Sequence, residues 1–434
     1  MTRRTPAGLP ARRAAWTILR AVDEGVPFDQ ALDRGLAPLG DADRRLAHEL
    51  AAGVLRRRTD LDARLQPLVH RGWASVPGDL RDVLRLGAYQ LTALDRVPLH
   101  AAVSTTVDLA RAVLGEKAAK FANAILRGVG GRAAPPAEET DPAARLASLH
   151  SHPIWLVRRW LARFGPDATA ALLAWDNQRP PLTLQPARGS LEDLQQALWS
   201  GGVGARRAPY DAGLVVEGVR PAELPGYAEG RFLVQDAAQA LVARFAACPP
   251  GATVYDACAA PGGKTIGVGH RAGPVLAAEL RPDRARRLAE NLARAGSGRE
   301  FVVVASAVAP PCRPVDLVLL DAPCLGTGTL ARHPDARWRV GPDALERLAT
   351  EQERLLASVA GVVRPGGWLV YASCSLEPEE NEEQVHRFLN RHPDFRRDPA
   401  PMPEGLLTPA GDLQLLPQRH GTDGAFAARL RKQP

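Results

Sequence analysis

The stretch Thr253-Val-Tyr-Asp-Ala-Cys-Ala-Ala-Pro-Gly-Gly-Lys-Thr265 restricts the fold more than any other part of the chain. A short apolar run ends in a turn with two glycines and reopens as a helix toward Ile266 and Val268, the strand, turn and helix of an α/β sheet. Backbone amides and the positive end of a helix dipole then face the strand tip, where an anionic group can dock. A glycine turn also serves tight packing alone, so its meaning depends on the segments downstream of Thr265.

Four further apolar runs lie there: Pro274 to Leu280, which carries Glu279, then Phe301 to Ser306, Val315 to Asp321 and Trp368 to Ser373. A loop or helix-like segment succeeds each. Strands alternating with helices make a parallel sheet with right-handed crossovers, so all five strand ends emerge along one edge, where ligands of such sheets sit. Lys264, Glu279, Asp321, Cys324 and Cys374 are therefore predicted to converge.

At 434 residues the chain exceeds one core, which implies two or three domains. Hydrophobic content of 45% and charged content of 24% are those of a soluble globular protein. No apolar run approaches the roughly 18 to 20 residues that span a bilayer, and no signal peptide is visible. The arginines at the start (Arg3, Arg4, Arg12, Arg13) run straight into a helical pattern and read as part of the first domain. The five cysteines are odd in number, widely spaced and without C-x-x-C, which argues against a disulfide framework or a zinc site and for reduced thiols in the cytoplasm. A net charge of +7 with pI near 9.5 suits a polyanion partner. Against so many arginines, one of only four lysines, Lys264, sits in the glycine turn.

Residues 1–132 are predicted to form an all-α domain, with Ala14, Ile18, Leu19 and Val22 on one face, then Leu46, Leu50 and Val54, then Leu80, Val83, Leu84 and Leu91. Its arginine clusters, Arg44-Arg45 and Arg56-Arg57-Arg58, read as a solvated face of which part could meet a polyanion. Residues 133–142, rich in Ala, Pro and Glu, read as a linker. Residues 143–235 combine helices at 154–164, 170–175 and 191–199 with strands at 182–185 and 213–217, a small α/β subdomain. Trp175 and Arg179 could stack on bases there, although burial of the tryptophan is the plainer reading. Residues 236–434 carry the chemistry.

Glu279 at a strand end can accept hydrogen bonds from both hydroxyls of a ribose. Ala-Ala-Pro-Gly-Gly-Lys is not G-x-G-x-x-G, so a dinucleotide fits poorly, and S-adenosylmethionine fits better, its carboxylate meeting the helix amides and Lys264. Asp321 and Cys324 stand three residues apart after a buried strand, with Pro323 excluding a regular helix between them. Cys374 ends the next strand, before Glu377-Pro378-Glu379-Glu380-Asn381-Glu382. Either thiol alone is more often a buried hydrophobe than a nucleophile, but two at neighbouring strand ends beside an acid point to catalysis. Cytosine C5 is a poor nucleophile. Thiolate addition at C6 makes C5 enamine-like, so that it takes a methyl from a sulfonium, and loss of the C5 proton then expels the thiolate. Cys374, Asp321 and Cys324 supply the nucleophile, an acid near N3 and a group for release, acting on a base unstacked into the pocket.

Two resemblances accompany these motifs. Ala11-Arg12 with Ile18-Leu19, Asp43-Arg44-Arg45 with Glu49-Leu50, Leu86-Gly87-Ala88-Tyr89-Gln90-Leu91, Arg96-Val97-Pro98-Leu99-His100 and Lys120-Phe121-Ala122-Asn123-Ala124-Ile125-Leu126-Arg127 resemble the NusB family of RNA-binding domains. Cys258 through Lys264, Pro323-Cys324, Arg332-His333-Pro334-Asp335 with Trp338, Ser373-Cys374-Ser375 and Asp423-Gly424-Ala425-Phe426 resemble RNA cytosine-5 methyltransferases, in the fused form of the RsmB/Sun type. The resemblance covers nearly the whole chain. It implies a multidomain fold: a NusB-like all-α domain, a small RRM-like α/β subdomain that guides RNA, and a Rossmann-like class I methyltransferase domain with a mostly parallel seven-stranded sheet. It further implies S-adenosylmethionine held by Cys258, Ala259, Ala260, Pro261, Gly262, Gly263, Lys264, Glu279, Ser306 and Asp321. The catalytic residues it implies are Cys374, Cys324 and Asp321. The substrate it implies is 16S ribosomal RNA, at the cytosine of position 967, free or in a partly assembled small subunit, for a monomer without metal. Glu279 and Ser306 stand where the family has aspartates, and Ser373 where it has threonine. A DNA cytosine-5 methyltransferase using Cys324, or a non-catalytic RNA-binding protein, are the competing readings; neither calls for two aligned thiols, and no DNA-reading motif is evident.

Overall fold

The computed structural model describes residues 8–95, 97–129 and 140–434. Arg3, Arg4, Arg96 and most of the expected linker at 133–142 lie outside them. The chain divides into two compact units, one of residues 1–178 with 330–339, the other of residues 179–329 with 340–434.

The first unit is helical. Leu9–Asp23, Phe28–Leu36, Asp41–Arg56, Arg58–Leu65, Gly78–Ala93, Leu99–Leu114 and Glu116–Val129 bury a common core that includes Ile18, Leu19, Leu50, Leu84 and Leu126. Pro98 caps the sixth helix, starting it where proline's fixed φ is tolerated. Close helix crossings depend on two glycines, since a Cβ on Gly53 would lie 2.0 Å from the Tyr89 ring and one on Gly87 2.6 Å from Leu126. The arginine clusters are largely tied down within the unit: Arg57 meets Asp60 at 2.6 Å, Arg58 meets Asp23 at 3.0 Å, and Arg56 donates to the Ala331 carbonyl at 3.1 Å.

Three more helices, Pro142–His150, Ile154–Phe164 and Pro166–Asp176, pack with this compact unit, while the strands of the subdomain expected at 143–235 lie in the second unit. The helix Pro142–His150 packs on Arg58–Leu65, and the Ser151 hydroxyl accepts from the Asp60 amide at 3.0 Å. Trp175 is half-buried with its indole N–H inside, and Arg179 is exposed.

The second unit holds two sheets. β1 (Leu182–Pro186), β2 (Ala205–Arg207), β3 (Leu214–Val216) and β4 (Phe232–Val234) form an antiparallel sheet in the order β2-β3-β1-β4. It has four strands where two were expected, because β2 and β4 are three residues each and too short to show a period. The helix Leu191–Ser200 beside it starts in a capping box, Ser190 and Asp193 each satisfying the other's backbone amide.

The larger sheet contains β5 (Val254–Asp256), β6 (Val275–Glu279), β7 (Glu300–Val304), β8 (Val315–Asp321) and β9 (Val363–Ser373), all parallel. β10 (Phe395–Arg397), β11 (Leu413–Leu415) and β12 (Ala425–Lys432) extend it antiparallel. Seven strands run in the order β10-β12-β9-β8-β5-β6-β7, and β11 is an eighth that pairs with β12 off that path. The strand order reverses between β5 and β8, which places the crevice of a doubly wound sheet at their carboxyl ends.

Candidate active site

Asp256, the last residue of β5, is 1% exposed and accepts from the Thr265 hydroxyl at 2.7 Å. Burial pushes its carboxyl up to about 7, and the Asp321 charge adds to the effect. A carboxyl held above its unfolded pKa favours folding fully below that unfolded value, and the benefit is lost as pH rises through the folded pKa. The Tm of Asp256→Asn should therefore move upward relative to the parent between pH 5 and 8, by the equivalent of on the order of 3 kcal/mol. Thermal unfolding across that range checks it, and a pH-independent difference would contradict it.

The turn after β5 is stitched to its surroundings by backbone groups. The Ala259 amide donates to the Ala278 carbonyl at 2.9 Å, Arg284 to the Ala260 carbonyl at 3.0 Å, and Asn291 to the Pro261 carbonyl at 2.8 Å. The Ala260–Pro261 peptide is cis, and Gly262 sits at φ 108°, a backbone conformation that only glycine adopts without strain. Cys258 is pushed up to about 12 by burial and by the carboxylates of Asp256, Asp321 and Glu279, so it is a neutral lining group. The next helix, Gly263–Gly269, has only seven residues.

Lys264 does not point into open space. Its ammonium bonds Asp321 at 2.7 Å and also the side-chain carbonyl of Gln239, which joins the ends of β5 and β8. Glu279, at the end of β6, is 4% exposed; it accepts from the Arg281 amide at 3.0 Å and faces the Arg284 guanidinium at 3.5 Å. Ser306, beyond β7, accepts from the Val308 amide through its hydroxyl at 3.3 Å and so helps turn the chain.

Cys324 and Cys374 meet. Their sulfurs are 3.3 Å apart, and the Cys374 amide points at the Cys324 sulfur at 3.4 Å. β8 and β9 are adjacent, with Asp321 opposite Ala372, so each strand delivers a thiol to one place. The thiol–thiol hydrogen bond, then burial, pushes Cys324 well above the usual thiol range. The surrounding loops are fastened to one another: Gly328 donates to the Cys374 carbonyl at 2.9 Å, Gly424 to the Gly328 carbonyl at 2.7 Å, and Leu376 to the Thr327 hydroxyl at 2.8 Å. A Cβ on Gly328 would lie 2.7 Å from Gly424 Cα and 2.8 Å from the Cys374 carbonyl, which accounts for glycine at both positions. Ser373 donates to Asn381, whose amide returns to the Ser375 carbonyl at 2.9 Å.

The five expected residues are thus placed at strand ends on one sheet edge, with two direct contacts, Lys264 with Asp321 and Cys324 with Cys374. Thr265, Gln239, Gln352, Tyr371 and Glu380 also build the site and were not anticipated. Of these, Glu380 had a signal in the acidic run that opens at Glu377.

Among the described residues, no helix is long and apolar enough to cross a membrane, and no group of three or more His, Cys, Asp or Glu could hold a metal ion.

A doubly wound sheet with a glycine turn after its first parallel strand and paired thiols at its fourth and fifth defines a methyltransferase, here carrying a helical unit ahead of it. Residues 246–431 match the 16S rRNA methyltransferase RsmB/F family, residues 9–130 the NusB family, and residues 152–223 the ferredoxin-like domain of RsmF/B-like methyltransferases. The probable ribosomal RNA small subunit methyltransferase B of Synechocystis sp. is 37% identical over 449 residues, covering 98% of this chain and all of that one. The ribosomal RNA small subunit methyltransferase B of Pseudomonas putida is 35% identical, covering 97% and 98%. The crystal structure of PH0851 superimposes with a TM-score of 0.84 at 25% identity over 99% of both chains. A methyltransferase homolog from Pyrococcus horikoshii does so with a TM-score of 0.59 at 27% identity over 67% of this chain and 98% of its own. The chain belongs to the RsmB/F family of ribosomal RNA small subunit methyltransferases.

Proposed function

We propose that the protein methylates C5 of a cytosine in 16S ribosomal RNA, with S-adenosylmethionine as methyl donor and a covalent bond between Cys374 and C6 of the base. The observation that carries this reading is the 3.3 Å contact between two thiols beside the Lys264–Asp321 pair. S-adenosylmethionine, when bound, supplies an electrophilic methyl on a sulfonium. Its holders would be the turn Cys258, Ala259, Ala260, Pro261, Gly262, Gly263 and Lys264, with Glu279, Ser306 and Asp321. The residues suit it. Glu279 presents a carboxylate whose facing cation, Arg284, is half exposed and displaceable by a ribose, and Cys258 and Ala259 offer a buried, uncharged wall.

Cys374 attacks C6 as its thiolate, pushing electron density onto C5, while Asp321, oriented by Lys264, bonds the base near N3. After methyl transfer, removal of the C5 proton returns its electron pair to the ring and expels the Cys374 thiolate, a release that Cys324 assists. The helical unit and the small antiparallel sheet, expected from the sequence at 1–132 and 143–235, would bind and guide the RNA, as naked 16S or within a partly assembled subunit, for a monomeric enzyme of the cytoplasm.

Transfer of labelled methyl to 16S RNA from a strain lacking the enzyme, followed by bisulfite mapping, tests this reading. A single protected cytosine, at position 967, is expected; label on an exocyclic nitrogen, or none in 16S RNA, would refute it.

A further inference from the structure

Cys324 lies in a loop, yet both peptide groups flanking it are gripped from below by buried side chains. The Gln352 amide, on the helix Pro342–Ala360, donates to the Pro323 carbonyl at 2.8 Å and to the Glu380 carboxylate at 2.9 Å. The Leu325 amide donates to that same carboxylate, at 3.0 and 3.3 Å from its two oxygens. Tyr371 locks the assembly, its phenol lying 2.6 Å from the Glu380 carbonyl and 3.2 Å from the Gln352 side-chain oxygen. Glu380, Gln352 and Tyr371 are all fully buried. A helix, a strand and a helical turn thus converge on one loop residue, and none of the three side chains is required by the reaction drawn above.

We infer that Glu380, held by Gln352, is a positioning residue for Cys324: together they clamp the peptides on either side of it and keep the pair's shared proton on its sulfur until Cys374 has bonded the base. This rests on the reading of Cys374 as nucleophile. The carboxylate's negative charge disfavours a second negative charge on Cys324. Burial holds the Glu380 carboxyl up at about 7, so its charge develops as pH rises through neutrality. The charged groups acting on this cluster are Glu377 on Glu380, Cys374 and Glu380 on Cys324, and Arg387 and Asp321 on Tyr371.

The same arrangement changes sign during turnover. Once Cys374 is a thioether to C6, neither its hydrogen bond nor its charge opposes ionisation of Cys324, and those are the first and third of the effects that hold the Cys324 proton in the free enzyme. Cys324 then loses its proton to water. The resulting thiolate, kept strongly basic by the neighbouring carboxylate, takes the C5 proton as the C6–S bond breaks. Cys324 ends as thiol and Cys374 as thiolate, which restores the starting pair and leaves one proton in solution per methyl transferred.

The test is alkylation of the free full-length enzyme by iodoacetamide from pH 6 to 10, each cysteine read separately by peptide mass spectrometry. In the parent, Cys324 should be alkylated only at the alkaline end of the range. In Glu380→Gln the Cys324 midpoint should fall, raising its alkylation rate near pH 7.5, and kcat should fall with KM for RNA unchanged. Gln352→Met, which removes one of the donors that favour the ionised Glu380 carboxyl, should shift Cys324 in the same direction and serves if the first variant does not fold. A Cys324 profile identical in parent and variants would overturn the inference while leaving Cys374-dependent methyl transfer untouched. Loss of that transfer reading itself would appear independently, as an RNA adduct formed without Cys374.

Discussion

Cys374→Ser should abolish methyl transfer, by about 10⁴-fold or more, whereas Cys324→Ala should leave the enzyme covalently locked to its RNA. A serine hydroxyl at the end of β9 lacks the acidity and polarisability to add to C6, and Cys324, which keeps its proton in the free enzyme, does not replace it. Loss of Cys324 leaves addition intact but impairs release, so a denaturant-resistant protein–RNA band should accumulate in the presence of the methyl donor. In the double variant that band should disappear. The 3.3 Å separation makes the two roles hard to tell apart by proximity, but their surroundings differ: Cys324 is held by the clamp of Gln352 and Glu380, whereas Cys374 comes directly after a strand end. A band that survives Cys374→Ser and is lost with Cys324→Ala would reverse the assignment, and would favour the chemistry of DNA cytosine-5 methyltransferases.

Much of the larger sheet was legible because strands such as β6 and β8 are buried on both faces and read as unbroken apolar runs. β6, β8 and the end of β9 fall where Pro274 to Leu280, Val315 to Asp321 and Trp368 to Ser373 indicate. The antiparallel extension was implied only by the family resemblance, as strands beyond the five apolar runs. β10 and β11 are three residues each, and β12 mixes Phe426 and Leu430 with Arg429 and Arg431, whose side chains stack on Trp368 across the pairing with β9. The packing of the helices after 140 was not legible for a different reason. Amphipathic helices show which face is buried but not against what, and the partner of Pro142–His150 is a helix some eighty residues earlier.

At the site, residues that act through their own chemistry stand out in the sequence, and those that act by holding others do not. Two thiols and an acid at strand ends are unusual residue types in unusual places. Gln352 and Tyr371 are ordinary members of an amphipathic helix and an apolar strand, and their function exists only because β9 and the helix Pro342–Ala360 bring them to Pro323 and Glu380. The sequence pairs Lys264 with a ligand carboxylate; its bond to Asp321 is invisible in spacing, because the two positions are joined only by the neighbouring placement of β5 and β8.

Arg337→Ala should destabilise the helical unit by about 3–5 kcal/mol. Arg337 is fully buried, and its guanidinium donates to the Asn177 side-chain oxygen at 2.8 Å and to the carbonyls of Asp176 at 2.9 Å and Ser151 at 3.2 Å. Burial pulls the group down to about 10, so it still carries its charge at neutral pH, partly supported by the Asp176 carboxylate. Asp176 is in turn bonded to His152 at 3.2 Å, and burial holds that imidazole well below its usual pKa, so it is neutral and adds no balancing charge. Truncation removes the donors from several buried acceptors at once and takes a positive charge away from the neighbourhood of Asp176. The neighbours of Arg337 on the same segment reinforce the docking: Trp338 donates to the Leu55 carbonyl at 2.8 Å and Asp335 accepts from the Phe28 amide at 3.2 Å. Arg337→Lys should recover little, because a single ammonium cannot reproduce the forked geometry. Thermal and urea unfolding of the full chain, followed through the helical signal, measures the difference; a loss under about 1 kcal/mol for Arg337→Ala would mean that water replaces the guanidinium and that the other contacts of the segment, from Trp338, Asp335 and Arg56, hold it.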